Sequence, residues 1–370
     1  RLGYQPKVFE SAPRPGGMLV QCIPAYRMPR EELAREIRMI ERMGVEIETN
    51  KALGKDFTLQ GLRDEGYEAV FLAVGAPSGA KLRIANEDAE GVYDSIAFLR
   101  EYNLRGSVPV GKKVVVIGGG NAAIDAARTA VRLGAESVTV LYRRTRDEMP
   151  AYREEIEEAE NEGIILKTLV APQEIVSKNG KVAGVRCDHM WLGDFDRSGR
   201  RRPQVREGGE SFIEPADQVI AAIGQSLDAN AMLGDLPVKM NLNGFIASDP
   251  LYSRTSVDWL FAGGDSADGP SSVAEAIGAG ERAAVGIDLF LTGEEHAFWR
   301  ESYEVDTEFD PDAEPSDAPR ARMKLIPEER RVHNFSEVEM AFTESAAVRE
   351  SKRCLRCDYR NTSCGQPASR

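Results

Sequence analysis

Hydrophobic residues in this chain fall into short unbroken apolar runs that alternate with amphipathic stretches of helical period, the pattern of an α/β protein. The clearest run is Val114-Val115-Val116-Ile117, four β-branched residues that predict a buried strand. A helix is predicted over residues 122–133 and a second strand over 137–142, which completes one βαβ unit. Nearer the N-terminus, residues 7–10 read as a short strand closing on an acid, 31–42 as a charged amphipathic helix and 45–49 as another strand. The apolar run 68–76 ends around Gly75, and its echo at 217–225 ends around Gly224. Such an echo suggests two related nucleotide-binding halves, with two ordinary parallel core strands as the alternative. Residues 258–265 form a further strand running into Gly263-Gly264, and Ser272-Val273 opens a small-residue helix over 274–291. The acidic face at 154–162 reads as solvated and the basic stretch 197–206 as a surface excursion. Residues 293–330, rich in Pro, Asp and Glu, read as an irregular connection.

The glycines carry the candidate chemistry. Gly118 and Gly120 follow the first strand directly, where the absence of a side chain lets the backbone turn and approach a pyrophosphate. Asn121 and Ala122 open the helix whose positive end would face that phosphate, and Ala123 permits close packing. An acid about 20 positions past the glycines would bond the ribose 2′-hydroxyl of NAD. Here Tyr142-Arg143-Arg144-Thr145-Arg146 follows the second strand instead. Guanidinium groups match a phosphate bidentately, so Arg143 and Arg144, with Arg146 beside them, are candidates for the 2′-phosphate of NADPH. NADH and a merely solvated basic loop remain open. Glu10 takes the corresponding ribose-binding place in an earlier unit, whose glycine turn is not in the sequence. The chain opens at Arg1 inside a recognisable element, so an upstream segment is expected.

A length of 370 residues leaves room for two ordinary domains, and 42% hydrophobic with 29% charged residues is a globular composition. No apolar run approaches the ~18 residues of a membrane helix. The net charge of −13 argues against a general nucleic-acid binder. Five cysteines form no secreted framework, so a reducing cytoplasm is the expected location. Three of them, Cys354, Cys357 and Cys364, lie near the C-terminus, the first two as C-x₂-C. They are candidate iron–sulfur ligands, for example of a [4Fe-4S] cluster whose fourth ligand is Cys22 or a residue outside the chain. Zinc, a redox-active pair and inert thiols are the alternatives. His189, His296 and His333 are scattered and read as surface or structural residues.

Five ordered groups of motifs resemble the glutamate synthase small-chain family, which also includes NADPH:ferredoxin oxidoreductase subunits and the reductase half of dihydropyrimidine dehydrogenase. They are Pro15-Gly16-Gly17-Met18-Leu19 with Ile23-Pro24-Ala25-Tyr26-Arg27-Met28-Pro29, and Val116-Ile117-Gly118-Gly119-Gly120-Asn121-Ala122-Ala123-Ile124-Asp125. Tyr142-Arg143-Arg144 with Glu148-Met149-Pro150-Ala151, Ala222-Ile223-Gly224-Gln225, and Phe261-Ala262-Gly263-Gly264-Asp265 complete the set. The resemblance covers residues 1–292 and 353–358. Met18 departs from the family's commoner Leu, and Gln21-Cys22 stands where Tyr-Gly is frequent.

The resemblance implies two Rossmann-like domains, one for FAD and one for NAD(P)H. Residues 1–106 and 240–292 would form a discontinuous, N-terminally incomplete FAD domain. Residues 107–239 would bind NAD(P)H, and 293–370 would form the extension with the cysteine tail. Gly17, Met18 and Leu19 would lie along the flavin ring, and Gly264 and Asp265 would hold its ribityl or pyrophosphate region. Ser272 and Val273 would turn helix amides to its pyrimidine edge. Gly75 and Gly224 would close the paired strands beside the cofactors. The implied activity passes a hydride between NAD(P)H and FAD without an acid–base side chain, then relays electrons to an iron–sulfur or catalytic partner subunit, or to ferredoxin. A glutamate synthase small chain proper, a thioredoxin-reductase-like disulfide reductase and a non-catalytic scaffold subunit are the alternatives.

Overall fold

The structure, a computed structural model, describes residues 2–195, 199–206, 208–300 and 318–354. The run of four β-branched residues lies in the strand Lys113–Ile117, the middle of a five-stranded sheet. Its order is Val92–Asp94, Gln218–Ala221, Lys113–Ile117, Ser137–Tyr142, Ile165–Thr168, and every pairing is parallel. A parallel sheet must be covered on both faces, which explains the unbroken apolar run. Val114 and Val116 pack into one core with Ala123, Ile124 and Ala127 of the helix Asn121–Arg132. Val115 and Ile117 pack into another with Ile175, Val185 and Val219.

That second face is covered by strands rather than helices. Val170–Lys178, Lys181–Phe195, Arg201–Val205 and Phe212–Glu214 form a four-stranded antiparallel sheet in which the long second strand pairs with the other three. The basic stretch expected as a surface excursion is thus partly an edge strand. The acidic stretch forms the helix Arg153–Asn161.

Outside these two sheets, Lys7–Glu10 pairs in parallel with Glu46–Thr49, and Val70–Leu72 in parallel with Leu260–Ala262. No strand among the described residues joins them. The helix Val273–Thr292 begins in a capping box, with Ser272 Oγ on the Glu275 amide and Glu275 reaching back to Ser272. It ends at Gly293 in the left-handed conformation.

The chain divides into two compact units. The first holds residues 1–296 and takes back 328–336, so the connection expected as one irregular stretch is interrupted by a return to the first unit. Within the second unit, Lys324–Leu325 pairs with Glu339–Met340, and the Ala321 amide donates to Glu350 of the helix Glu344–Ser351 at 2.7 Å. No helix among the described residues is long and apolar enough to cross a membrane.

Candidate dinucleotide sites

The three glycines after the central strand differ in what requires them. Gly118 takes φ 147°, and a Cβ there would lie 2.2 Å from the Ala222 carbonyl oxygen. A Cβ on Gly119 would lie 2.5 Å from the Tyr142 ring. Both are glycine because the protein's own atoms leave no room. Gly120 is open: the nearest atom to an added Cβ is Pro150 Cγ at 3.9 Å. It is also the N-cap of Asn121–Arg132 and makes no side-chain cap. The leading amides of a helix have no intrahelical acceptor and stand at the positive end of its dipole, so this corner fits a phosphate. Asn121 turns its side-chain oxygen to the Tyr152 amide at 3.1 Å, Ala122 is half-buried and Ala123 is buried. Sequence reasoning stressed Gly118 and Gly120 and missed Gly119, whose constraint comes from a ring at the end of the next strand.

At the end of that strand the two candidate arginines part. Arg143 is exposed. Arg144 is only 3% exposed, and its Nε donates to the Arg201 carbonyl at 2.8 Å. The expectation of a paired phosphate clamp is therefore corrected for Arg144, whose guanidinium is held in the interior by that carbonyl. Arg146 is ion-paired with Glu160 at 2.8 Å.

In the N-terminal segment, Gly17 takes φ 53° with nothing within 4 Å of an added Cβ, and begins the single helical turn Met18–Gln21. Met18 and Leu19 are half-buried beside it. Arg30 fastens this turn by donating to the carbonyls of Leu19 and Ile23 and to Asn103. Glu10 accepts from the Ala12 amide at 2.7 Å, so its carboxylate is braced by its own chain. Gly75 and Gly224 take φ 68° and 136°, and Gly264 takes φ 64°. Asp265 accepts from the amide and hydroxyl of Ser271 at 3.0 and 3.1 Å. Val273 and Ile277, 45% and 68% exposed, leave the first turns of the long helix uncovered, whereas Ala279 and Ala283 further along are buried. Uncovered apolar side chains beside leading helix amides fit a flat, partly anionic group.

Behind the glycine turn lies a buried ionic cluster that sequence reasoning missed. Glu162 takes hydrogen bonds from Arg128 at 3.1 and 2.7 Å and from Arg132 at 2.6 and 2.9 Å. Glu155 and Glu158 also hold Arg128, and Arg331 of the returning segment lies 3.5 Å from Glu162. Of the acidic face expected to be solvated, Glu154, Glu157 and Glu160 are exposed, whereas Glu155, Glu158 and Glu162 are the counter-charge of a buried site. The Tyr26 ring lies over the guanidinium groups of Arg132 and Arg128, at 4.1 and 4.8 Å. Arg27 grips Asp125 at 2.9 and 3.0 Å and Glu155 at 3.0 Å. Tyr26 and Arg27 thereby tie the segment after the Gly17 turn to the back of the helix that Gly120 caps. Burial pushes the Asp125 carboxyl up to about 6 despite Arg27. Burial also raises Glu162, but the hydrogen bonds from Arg132 and Arg128 outweigh it and leave the carboxyl below its ordinary value.

Cys22 and Cys187 are buried thiols pushed up to about 12 by desolvation. Cys22 belongs to the hydrophobic core, which makes it unsuited to complete a cluster. Cys354 is exposed, while Cys357 and Cys364 lie outside the described residues. Among the described residues no group of three potential ligands is placed to hold a metal ion.

A parallel sheet with a glycine turn, joined to a second set of parallel strands of which one runs into the turn Gly263-Gly264-Asp265, defines a dinucleotide-binding flavoprotein reductase fold. The structure of Mycobacterium tuberculosis FprA in complex with NADPH shares it, with a TM-score of 0.65 at 18% identity over 78% of each chain. The chain is 41% identical to the NADP(+)-dependent formate dehydrogenase subunit beta of Moorella thermoacetica over 96% of its own length and 51% of that protein. It is 34% identical to a putative glutamate synthase [NADPH] small chain of Cereibacter sphaeroides, over 79% of this chain and 72% of that one. The chain thus spans about half the length of the formate dehydrogenase subunit. Residues 5–280 match the pyridine nucleotide-disulphide oxidoreductase family, and the chain belongs to it, among the FAD- and NAD(P)H-dependent oxidoreductases related to glutamate synthase small chains.

Proposed function

We propose that this chain is the hydride-transfer module of a larger oxidoreductase, taking electrons from NADPH and delivering them to an iron–sulfur or catalytic partner subunit, or to ferredoxin. The observation that carries it is the pairing of an open phosphate corner at Gly120 with an uncovered helix start at Val273. Bound together, FAD and NADPH supply hydride exchange between nicotinamide and flavin. The chain's own work is placement and electrostatics. Gly118 and Gly119 shape the pyrophosphate turn, and the amides after Gly120 receive negative charge. Gly17, Met18 and Leu19 give a floor for the flavin ring, held by Arg30. The leading amides of Val273–Thr292 stabilise charge at the flavin's pyrimidine edge, with Gly264 and Asp265 at its pyrophosphate side. Gly75 and Gly224 keep side chains away from both cofactors, and Glu10 meets a ribose. The relatives' names, a subunit beta and a small chain, support delivery to a partner subunit. The C-x₂-C of Cys354 and Cys357, with Cys364, supports a [4Fe-4S] relay.

The test is anaerobic reduction of the full-length protein. The expected result is a yellow preparation that bleaches on adding NADPH and recovers its colour when an electron acceptor is added. A colourless preparation that takes up no FAD refutes the proposal.

A further inference from the structure

The segment after the Gly17 turn is fastened by side chains to helices that cover the five-stranded sheet. Arg30 donates to the carbonyls of Leu19 and Ile23 and to Asn103 of the helix Ser95–Arg105. Asn103 donates in turn to the Gln21 carbonyl at 3.0 Å. That helix follows the edge strand Val92–Asp94 of the sheet. Cys22 is buried in the core that also holds Ile96, Ala123 and Ile124, and Met18 packs against that core.

Arg27 makes the connection that reaches the glycine corner. Its Nη1 donates to both Asp125 oxygens, at 2.9 and 3.0 Å, and its Nε lies 3.0 Å from Glu155. Asp125 is four residues past Asn121, one turn into the helix that Gly120 caps, and is only 4% exposed. Arg128, three residues further on, is taken up by Glu155, Glu158 and Glu162, which leaves the Asp125 carboxylate to Arg27. A charge-assisted pair shielded from water is stronger than a neutral one and holds its geometry closely.

We propose that Arg27 is a positioning residue for hydride transfer: by pairing with Asp125 it fixes the distance between the flavin floor at Gly17, Met18 and Leu19 and the phosphate corner at Gly120. This inference rests on the reading of the two sites given above and deepens it by naming what sets their spacing. Transfer requires reacting atoms about 3–3.5 Å apart, and a misplacement of about 1 Å can cost about a hundredfold in rate. The pair lies one turn behind the leading amides of the helix, so its loss alters spacing before it alters affinity.

The test is anaerobic stopped-flow reduction of the FAD-loaded full-length protein by saturating NADPH, with the limiting rate counted per bound flavin. Arg27→Lys keeps the charge and changes the reach. Arg27→Gln combined with Asp125→Asn leaves a neutral pair and strands no charge at this contact. Both variants are expected to lower the limiting rate by about ten- to a hundredfold, with the dissociation constant for NADP+ within about twofold of the parent's. NADPH deuterated at nicotinamide C4 is expected to slow that rate further, which identifies the impaired step as hydride transfer. A role confined to stability would lower the melting temperature or the FAD content and leave the rate per bound flavin unchanged. Variants that reduce their flavin at the parent's limiting rate, or whose whole loss lies in NADP+ binding, overturn the positioning role and leave the reading of the two sites intact. A parent protein whose flavin NADPH does not bleach overturns both.

Discussion

Replacing Glu162 by Gln tests the buried cluster most directly. The carboxylate has no solvent exposure and accepts four hydrogen bonds from two guanidinium groups, with a third guanidinium 3.5 Å away. Four arginines, 27, 128, 132 and 331, face four acids, 125, 155, 158 and 162, so the substitution leaves four cations against three anions in a largely buried site. Removing one partner from a buried ion pair typically costs about 3–5 kcal/mol, because the remaining charge stays desolvated. At roughly 2–4 °C per kcal/mol for a domain of this class, the melting temperature is expected to fall by about 6–20 °C. Thermal unfolding followed by circular dichroism measures it, with Glu136→Gln as the control. That carboxylate pairs with Lys112 at 2.6 Å but is 61% exposed, and its loss is expected to leave the melting temperature unchanged. A Glu162→Gln protein that melts within about 2 °C of the parent would refute the view that this cluster is held by matched charge.

Three further predictions separate stability from binding and fix the sign of a pH effect. Gly120→Ala has space for its methyl group and is expected to keep the parent's melting temperature while raising KM for NADPH. Gly119→Ala meets the Tyr142 ring and is expected to lose about 1–3 kcal/mol of stability, read by chemical denaturation. The folded Asp125 carboxyl sits near 6 against an ordinary 3.8, so it contributes stability below about pH 4 that is lost as pH rises towards 6. Asp125→Asn removes that loss, and its melting temperature is expected to rise relative to the parent's between pH 4 and 6; a constant difference across that range counts against a raised carboxyl.

The parallel core was legible because its signals are local. A run of β-branched residues, a glycine corner and a helix of small residues all lie within about twenty positions, and each constrains the next. The helix at 154–162 was placed correctly and its environment was misread, since nothing in a row of glutamates shows that Arg128 and Arg132 wait across the packing interface. Arg144 was misread for another reason. In sequence it and Arg143 are two equal cations, and only a carbonyl at Arg201, far along the chain, decides which one is turned inward. The antiparallel sheet over the second face escaped notice because its long strand carries polar residues towards solvent and blends into the basic stretch that follows. Tyr26 and Arg27 stood inside a quoted motif, yet their task, tying the segment after Gly17 to the helix Asn121–Arg132, depends on partners as distant as Asp125.

The corner at Gly118 and Gly119 has a consequence for binding. Its curvature is imposed by Ala222 and Tyr142, which are present whether or not a nucleotide is. On the proposed reading, a coenzyme that arrives there meets a cradle already in shape, so little ordering entropy is lost at that corner on each entry.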